Sequence, residues 1–104
     1  MDIKEVLTEF KTKTRELYGE RLRSVILYGS YARSQATEDS DVDLLVLLKG
    51  KVMPGREIDR MIDITTEINL KYGALLSVYP VSEEEYLILN SPLLMNVRKE
   101  GVVC

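Results

Sequence analysis

Residues 24–48 read SVILYGSYARSQATEDSDVDLLVLL and contain two apolar runs separated by a polar segment. The first run, 24–28, is short and rich in β-branched residues, and Gly29 ends it, which predicts a buried strand. The second run, 42–48, is almost continuously apolar, as expected of a central strand covered on both faces. The sequence therefore predicts two neighbouring core strands joined by a polar connection.

The remainder of the chain alternates helical and extended patterns. Apolar residues recur at helical spacing in residues 2–18 and 56–72, and Gly73 is placed to end the second helix. The pattern further predicts a short helix at 31–35 opening at Ser30, a strand at 74–81, an acidic turn at 82–85 and a last helix at 91–101. Pro80 must lie at the edge or the end of the third strand. This order predicts one α/β (α+β) domain, residues 1–104, with a small mixed sheet and helices packed on one face.

Composition excludes several classes of function. The chain has 104 residues, a net charge of −3 and no histidine, so neither general nucleic-acid binding nor histidine-based chemistry is expected. Cys104 is the single cysteine, which excludes an internal disulfide and favours a cytoplasmic location. The chain has no apolar run of about 20 residues and no signal-peptide pattern at its N-terminus, so no membrane association is expected. Any metal ion here is expected to be a hard cation bound by oxygen ligands.

Two aspartates stand at the start of the second strand. Side chains alternate along a strand, so Asp41 and Asp43 project from the same face, about 6–7 Å apart. Two such close carboxylates repel each other unless a cation lies between them. The pair therefore predicts a Mg²⁺ site, with Asp41 and Asp43 as catalytic metal ligands and room for one or two ions. The alternative is a solvated strand start at which both aspartates only keep an edge polar.

The segment after the first strand has the features of an anion site. Gly29 adopts backbone angles that other residues avoid and lets the chain approach a bulky ligand. Ser30 can cap the following helix or bind a phosphate oxygen, and free N–H groups at that helix start attract anions. Arg33 can reach a terminal phosphate, or else is an ordinary surface arginine. We therefore predict phosphate binding by Gly29, Ser30 and Arg33, although Gly-Ser alone also marks a simple turn and no Walker motif follows.

Together these residues carry a family resemblance. Gly29-Ser30, ten residues, then Asp41-x-Asp43 resembles the signature of the DNA polymerase β-type nucleotidyltransferase superfamily. More narrowly, most of the chain is similar to the minimal nucleotidyltransferase (MNT) family, which includes the MntA-like antitoxins of HEPN/MNT toxin–antitoxin pairs. The resemblance implies transfer of a nucleoside monophosphate from a triphosphate to a hydroxyl, with Gly29 and Ser30 holding the triphosphate and Asp41 and Asp43 binding Mg²⁺. It also implies ATP as the substrate, AMP as the transferred group and a HEPN-domain partner whose tyrosine accepts it.

One departure from the family pattern leaves a second function open. The superfamily site has a third carboxylate on a later strand, but the strand predicted at 74–81 contains no acid, and Ser77 is the polar residue in its middle. Asp63 and the acids at 83–85 are the nearest alternatives in the sequence. The first hypothesis is an active Mg²⁺-dependent enzyme. The alternative is a weak or inactive antitoxin that uses the same fold as a docking surface, and either one is expected to work in a hetero-oligomer.

Overall fold

The computed structural model describes all residues from 1 to 104, which form four α-helices and a four-stranded sheet. The long helices occur where apolar residues recur at helical spacing, and the strands where β-branched and leucine residues are concentrated. In chain order the elements are α1 (Ile3–Tyr18), β1 (Leu22–Tyr28), β2 (Val42–Leu48), α2 (Pro54–Tyr72), β3 (Leu76–Ser82), α3 (Glu83–Ile88), α4 (Pro92–Glu100) and β4 (Val102–Val103). No helix combines the length and the apolar character that crossing a membrane requires.

The sheet brings the end of β1 and the starts of β2 and β3 to one edge. Its strand order is β3-β2-β1-β4, with β1 antiparallel to both β2 and β4 and β2 parallel to β3. Tyr28 therefore lies opposite Asp43 in the register of β1 and β2. On the other side of β2, Asp43 pairs with Ser77 of β3. This edge is where the polar residues of the 29–43 segment meet.

Two apolar clusters cover the two faces of the sheet. The larger contains buried residues of α1 and α2, such as Phe10 and Met61, against one face of β1 and β2. The smaller places Leu94 and Val97 of α4 against Leu45 and neighbouring residues on the opposite face. The mixed α+β sheet is confirmed, and β2 is covered on both faces as predicted. The long helices share one face, and the C-terminal helix partly covers the other.

One local prediction is wrong, one is confirmed in part, and one strand was not predicted. Residues 31–34 form consecutive turns in place of the helix predicted at 31–35, because Ser34 has a φ of +57°, which interrupts the helical backbone. Ser82 caps the acidic segment after β3, as the sequence predicts, by accepting a hydrogen bond from the Glu85 N–H, but this segment is the short helix α3 and not a turn. The edge strand β4 was not predicted, since two residues carry no periodicity of their own.

A buried carboxylate ties α2 to the loop before β1. Glu57 is almost fully buried, accepts a hydrogen bond from the Tyr18 hydroxyl at 3.0 Å and pairs with Arg21 at 3.1 Å. Burial, followed by the hydrogen bond and charge of Glu57, raises the pKa of Tyr18 to about 12. Removing one partner of such a group leaves the other charge without compensation.

We therefore expect Glu57→Gln to lower the free energy of unfolding by about 2 kcal/mol, the scale of a lost charged hydrogen bond. Urea denaturation would measure the change. Glu67→Gln, on the same helix and paired only at the surface with Lys13, should change it by less than about 0.5 kcal/mol. Equal effects of the two substitutions would contradict the structural role of Glu57.

Candidate active site

The turn after β1 contacts the start of β2 at Gly29. Gly29 has a φ of +74°, a conformation in which other residues are strained. A Cβ atom at this position would overlap Oδ2 of Asp43 and lie 3.1 Å from its Cγ. The structure therefore places the Asp43 carboxylate directly against the glycine turn, and only glycine allows this approach.

The two aspartates form an electrostatically unfavourable pair. Asp41 immediately precedes β2 and is exposed, whereas Asp43 is the second residue of β2 and is partly buried. Burial and the nearby negative charge of Asp41 raise the pKa of Asp43, and Arg33 partly opposes this effect. A cation between the carboxylates would remove the repulsion, so the donor set fits a hard divalent ion.

The turns at 30–35 leave backbone donors unused. Arg33 N–H donates to the Gly29 carbonyl and Gln35 N–H to the Ser30 carbonyl, but the N–H groups of residues 30–32 have no acceptor in the chain. Successive free N–H groups in a turn beside a glycine are able to bind an anion, and residues 30–32 are called the nest below. The predicted helix start is absent, so Ser30 caps no helix. Free backbone N–H groups, which were predicted for a helix start, are nevertheless present, because the turns leave them without an acceptor.

Arg33 lies on the surface beside this nest and bridges to the C-terminal part of the chain. Its guanidinium pairs with Glu100 at the end of α4 at 3.4 Å and donates from Nε to Gln35 at 3.3 Å. Arg33 is also near enough to Asp43 to affect the pKa of that carboxyl. The structure thus brings Arg33 to the same edge of the sheet as Gly29 and the aspartates.

No third carboxylate joins Asp41 and Asp43. The chain contains no group of three acidic or cysteine side chains suited to a metal ion. The position across the sheet from Asp43 is taken by Ser77, an exposed residue whose side chain lies on the same face. Neither Asp63 on α2 nor Glu83 at the start of α3, which pairs with Arg23, completes the site. This edge therefore offers two carboxylates and a hydroxyl.

Tyr28, at the end of β1, lies beside the aspartates and also packs against the smaller apolar cluster. Tyr28 is half-buried and lies directly opposite Asp43, so both side chains project from one face. Burial, then the charge of Asp43 and the neighbouring Tyr79, raises the pKa of Tyr28. Tyr28 lies opposite Asp43 because of the antiparallel register of β1 and β2. The residue pattern of a single strand does not determine that register.

The arrangement suits the transfer of a phosphorylated group. An anion nest and an arginine lie on the β1 side, two carboxylates lie at the start of β2, and exposed hydroxyls follow on β3. A divalent cation bound by the carboxylates would neutralise phosphate charge, and the nest would hold the phosphate oxygens. Phosphoryl and nucleotidyl transfer depend mainly on this kind of positioning and charge neutralisation.

Comparison with known proteins gives a consistent result. The model of a family described as "Nucleotidyltransferase domain" matches residues 4–101. A putative protein adenylyltransferase of Methanocaldococcus jannaschii is 36% identical over 104 residues, covering 99% of this chain and 98% of that protein.

Two solved structures share the fold. A toxin–antitoxin crystal structure with AMP-PNP superimposes with a TM-score of 0.63 at 15% identity, covering 90% of this chain and 68% of that one. A tri-AMPylated Shewanella oneidensis HEPN toxin in complex with an MNT antitoxin gives a TM-score of 0.52 at 15% identity, with coverages of 90% and 67%. At these identities the two structures establish a common fold.

Proposed function

Because this chain belongs to the nucleotidyltransferase domain family, we propose that it transfers AMP from ATP to a hydroxyl group of a partner protein. The acceptor we propose is a tyrosine of a HEPN-type toxin, and the reaction depends on Mg²⁺. The relative from M. jannaschii is named a putative protein adenylyltransferase and matches nearly end to end, which supports protein as the acceptor class. The solved HEPN–MNT complex, in which the toxin is AMPylated, supports the partner class.

The contact between Asp43 and Gly29 is the observation that carries the proposal. It brings the Asp43 carboxylate against the turn with three free N–H groups, so that one ligand can reach both. A nucleoside triphosphate with a bound cation has the matching chemistry, since its phosphates are anions and its metal requires oxygen ligands. If the two aspartates only kept a strand edge polar, the residue in contact with Asp43 would not need to be glycine.

Asp41 and Asp43 are the residues that would hold Mg²⁺. Their unfavourable mutual charge and the partial burial of Asp43 fit a site completed by a divalent cation. When bound, the ion supplies positive charge to the α-phosphate and the departing pyrophosphate. Two carboxylates leave most coordination positions to water and phosphate oxygens, as is usual for Mg²⁺.

The other residues position the triphosphate. The N–H groups of residues 30–32 bind phosphate oxygens, and Gly29 permits the close approach of the chain. Arg33 exchanges its contact with Glu100 for a terminal phosphate oxygen, and its fork-shaped guanidinium suits bidentate binding. These contacts orient the α-phosphate in front of the aspartates, so that an acceptor hydroxyl attacks in line with the leaving pyrophosphate.

A second candidate function is a docking module of low catalytic power. The observation that favours it is the hydroxyl of Ser77 where a third carboxylate would complete the site. With two acidic ligands, charge neutralisation and activation of the acceptor hydroxyl are weaker. Under this alternative, the fold acts on its partner by forming a complex.

Labelled ATP separates the two candidates. The protein is incubated with α-labelled ATP, Mg²⁺ and the product of the neighbouring gene, and labelled protein is measured alongside complex formation. We expect label on a tyrosine of the partner, dependent on Mg²⁺ and on Asp41 and Asp43. A tight complex that acquires no label would favour the docking module and contradict the enzyme.

A further inference from the structure

The sheet face that carries Asp43 is open at the edge of the candidate active site. Farther along this face, α4 covers Leu45 and Val81. Tyr79 and Ser77 lie two and four residues before Val81 on β3, so their side chains project from the same face. Both residues are exposed, Tyr79 by 39%. The face therefore presents two uncovered side chains of β3 beside Asp43.

The hydroxyl groups of Ser77 and Tyr79 are available to a ligand. Hydrogen bonds that join β3 to its surroundings through side chains occur only at the two ends of the strand, at Leu76 and Ser82. The strand also contains no charged residue, so this part of the face has no cation to hold a phosphate group. It therefore suits an uncharged hydroxyl compound better than a polyphosphate.

The strand order determines from which side of Asp43 an acceptor approaches. The nest follows β1, Asp43 lies on β2, and Ser77 lies opposite Asp43 on β3. In-line displacement places the acceptor oxygen and the leaving pyrophosphate on opposite sides of the phosphorus atom. With the triphosphate tail at the nest, the acceptor oxygen must lie on the β3 side, near Ser77. The oxygen that carries the nucleoside lies off this axis, so the nucleoside does not occupy the β3 side.

Tyr79 indicates the kind of acceptor. It lies two residues beyond Ser77, about 6–7 Å along the strand, a separation comparable to the length of a tyrosine side chain. An acceptor tyrosine with its hydroxyl at Ser77 can therefore place its ring against Tyr79, and aromatic pairs of this kind are favourable. The short side chains of serine and threonine acceptors do not reach that ring.

We propose that Ser77 and Tyr79 form the acceptor subsite, in which the Ser77 hydroxyl bonds the acceptor hydroxyl and Tyr79 packs against its aromatic ring. The proposal rests on the proposed function and adds the residues that orient and select the acceptor. In the reaction, the acceptor oxygen forms a bond to the α-phosphorus, the bond from that phosphorus to the bridging oxygen breaks, and pyrophosphate leaves towards the nest. The acceptor proton passes to solvent.

Titration with N-acetyl-tyrosinamide tests the subsite without requiring transfer. The protein is first saturated with Mg²⁺ and an ATP analogue that has a methylene bridge between its α- and β-phosphates, and backbone amide chemical shifts are followed. We expect shifts at residues 76–79 that N-acetyl-serinamide does not produce. Tyr79→Ala should weaken tyrosinamide binding about three- to tenfold, and Tyr79→Phe should preserve it. The control Leu70→Ala removes an exposed apolar side chain from α2 and should have no effect.

Transfer of α-labelled AMP to a tyrosine peptide provides a second measurement. Tyr79→Ala should raise the KM for the peptide about three- to tenfold and leave kcat nearly unchanged, because the ring contact is made before and during the reaction. Ser77→Ala should lower kcat by a similar factor through the lost hydrogen bond, and Ser77→Thr should restore it.

The outcomes separate this proposal from the proposed function. The absence of tyrosinamide binding, equal shifts with serinamide, or adenosine alone shifting residues 76–79 would overturn the acceptor subsite. Tyrosinamide binding that is weakened by Tyr79→Ala, without label on any peptide, supports the subsite and counts against the enzyme. Label on the tyrosine peptide with a KM that Tyr79→Ala does not change supports the enzyme and overturns the subsite.

Discussion

Replacing Asp41 and Asp43 together with asparagine is expected to lower nucleotidyl transfer about a thousandfold while the protein stays folded. The metal ion that we propose for these residues would contribute several kcal/mol of charge stabilisation, and each ~1.4 kcal/mol corresponds to a factor of ten in rate. Asparagine keeps the shape of the side chain and removes the charge. Transfer of labelled AMP under single-turnover conditions measures the loss.

The free energy of unfolding of this double variant should rise, although its activity falls. Burial and Asp41 raise the pKa of Asp43, so the folded chain binds that proton more tightly than the unfolded chain does. Ionisation of Asp43 therefore costs stability at neutral pH, and the cost disappears as the pH falls below the carboxyl range. We expect a small gain in the free energy of unfolding at pH 7 and none at acidic pH. Asp59→Asn/Asp63→Asn is the matched control, and loss of activity there as well would contradict the site.

The substitution Gly29→Ala is expected to reduce transfer activity and Mg²⁺–ATP affinity by about a hundredfold. The new Cβ overlaps the carboxylate oxygen of Asp43, and that short side chain must rotate away from the nest. Misplacing a catalytic group by about 1 Å costs on the order of a hundredfold in rate. Gly29→Ala should therefore impair nucleotide binding and transfer, because the clashing group is a side chain that can rotate.

A matched glycine separates the site effect from backbone strain. Gly50 has a φ of +84°, and a Cβ there meets nothing within 4 Å. Both alanine substitutions should therefore cost about 1–2 kcal/mol of folding free energy from the left-handed backbone, as urea denaturation would show. Only Gly29→Ala should reduce nucleotide binding in a calorimetric titration. If Gly50→Ala weakened binding equally, the contact with Asp43 would not be the cause.

The sequence was sufficient for the parts of the site that depend on local geometry. The apolar run of β2 identified a central strand, and its alternation placed Val42 and Leu44 in the core, which leaves Asp43 on the other face. A glycine at the end of β1 indicated an unusual backbone, and Gly29 has a positive φ. These features need only the periods of the strands and the stereochemistry of glycine.

Contacts between distant residues could not be read in this way. The pairing of Asp43 with Ser77 depends on the register of β3, and the ion pair of Arg33 with Glu100 joins residues 67 positions apart. The strand Val102–Val103 forms by pairing with the free edge of β1. Two residues are too few to show the alternation that predicts a strand. The turns at 31–35 were mistaken for a helix because Ser34 adopts a left-handed conformation, which serine does only occasionally.

Paramagnetic broadening by Mn²⁺, used in place of Mg²⁺, would show whether the glycine turn and the aspartate pair bind one metal–nucleotide complex. In the presence of ATP, substoichiometric Mn²⁺ should first broaden the amide signals of residues 29–32 and 41–43, and the double asparagine variant should abolish this effect. Broadening centred on the acidic α3 helix or on the groove between α1 and α2 would contradict this shared binding.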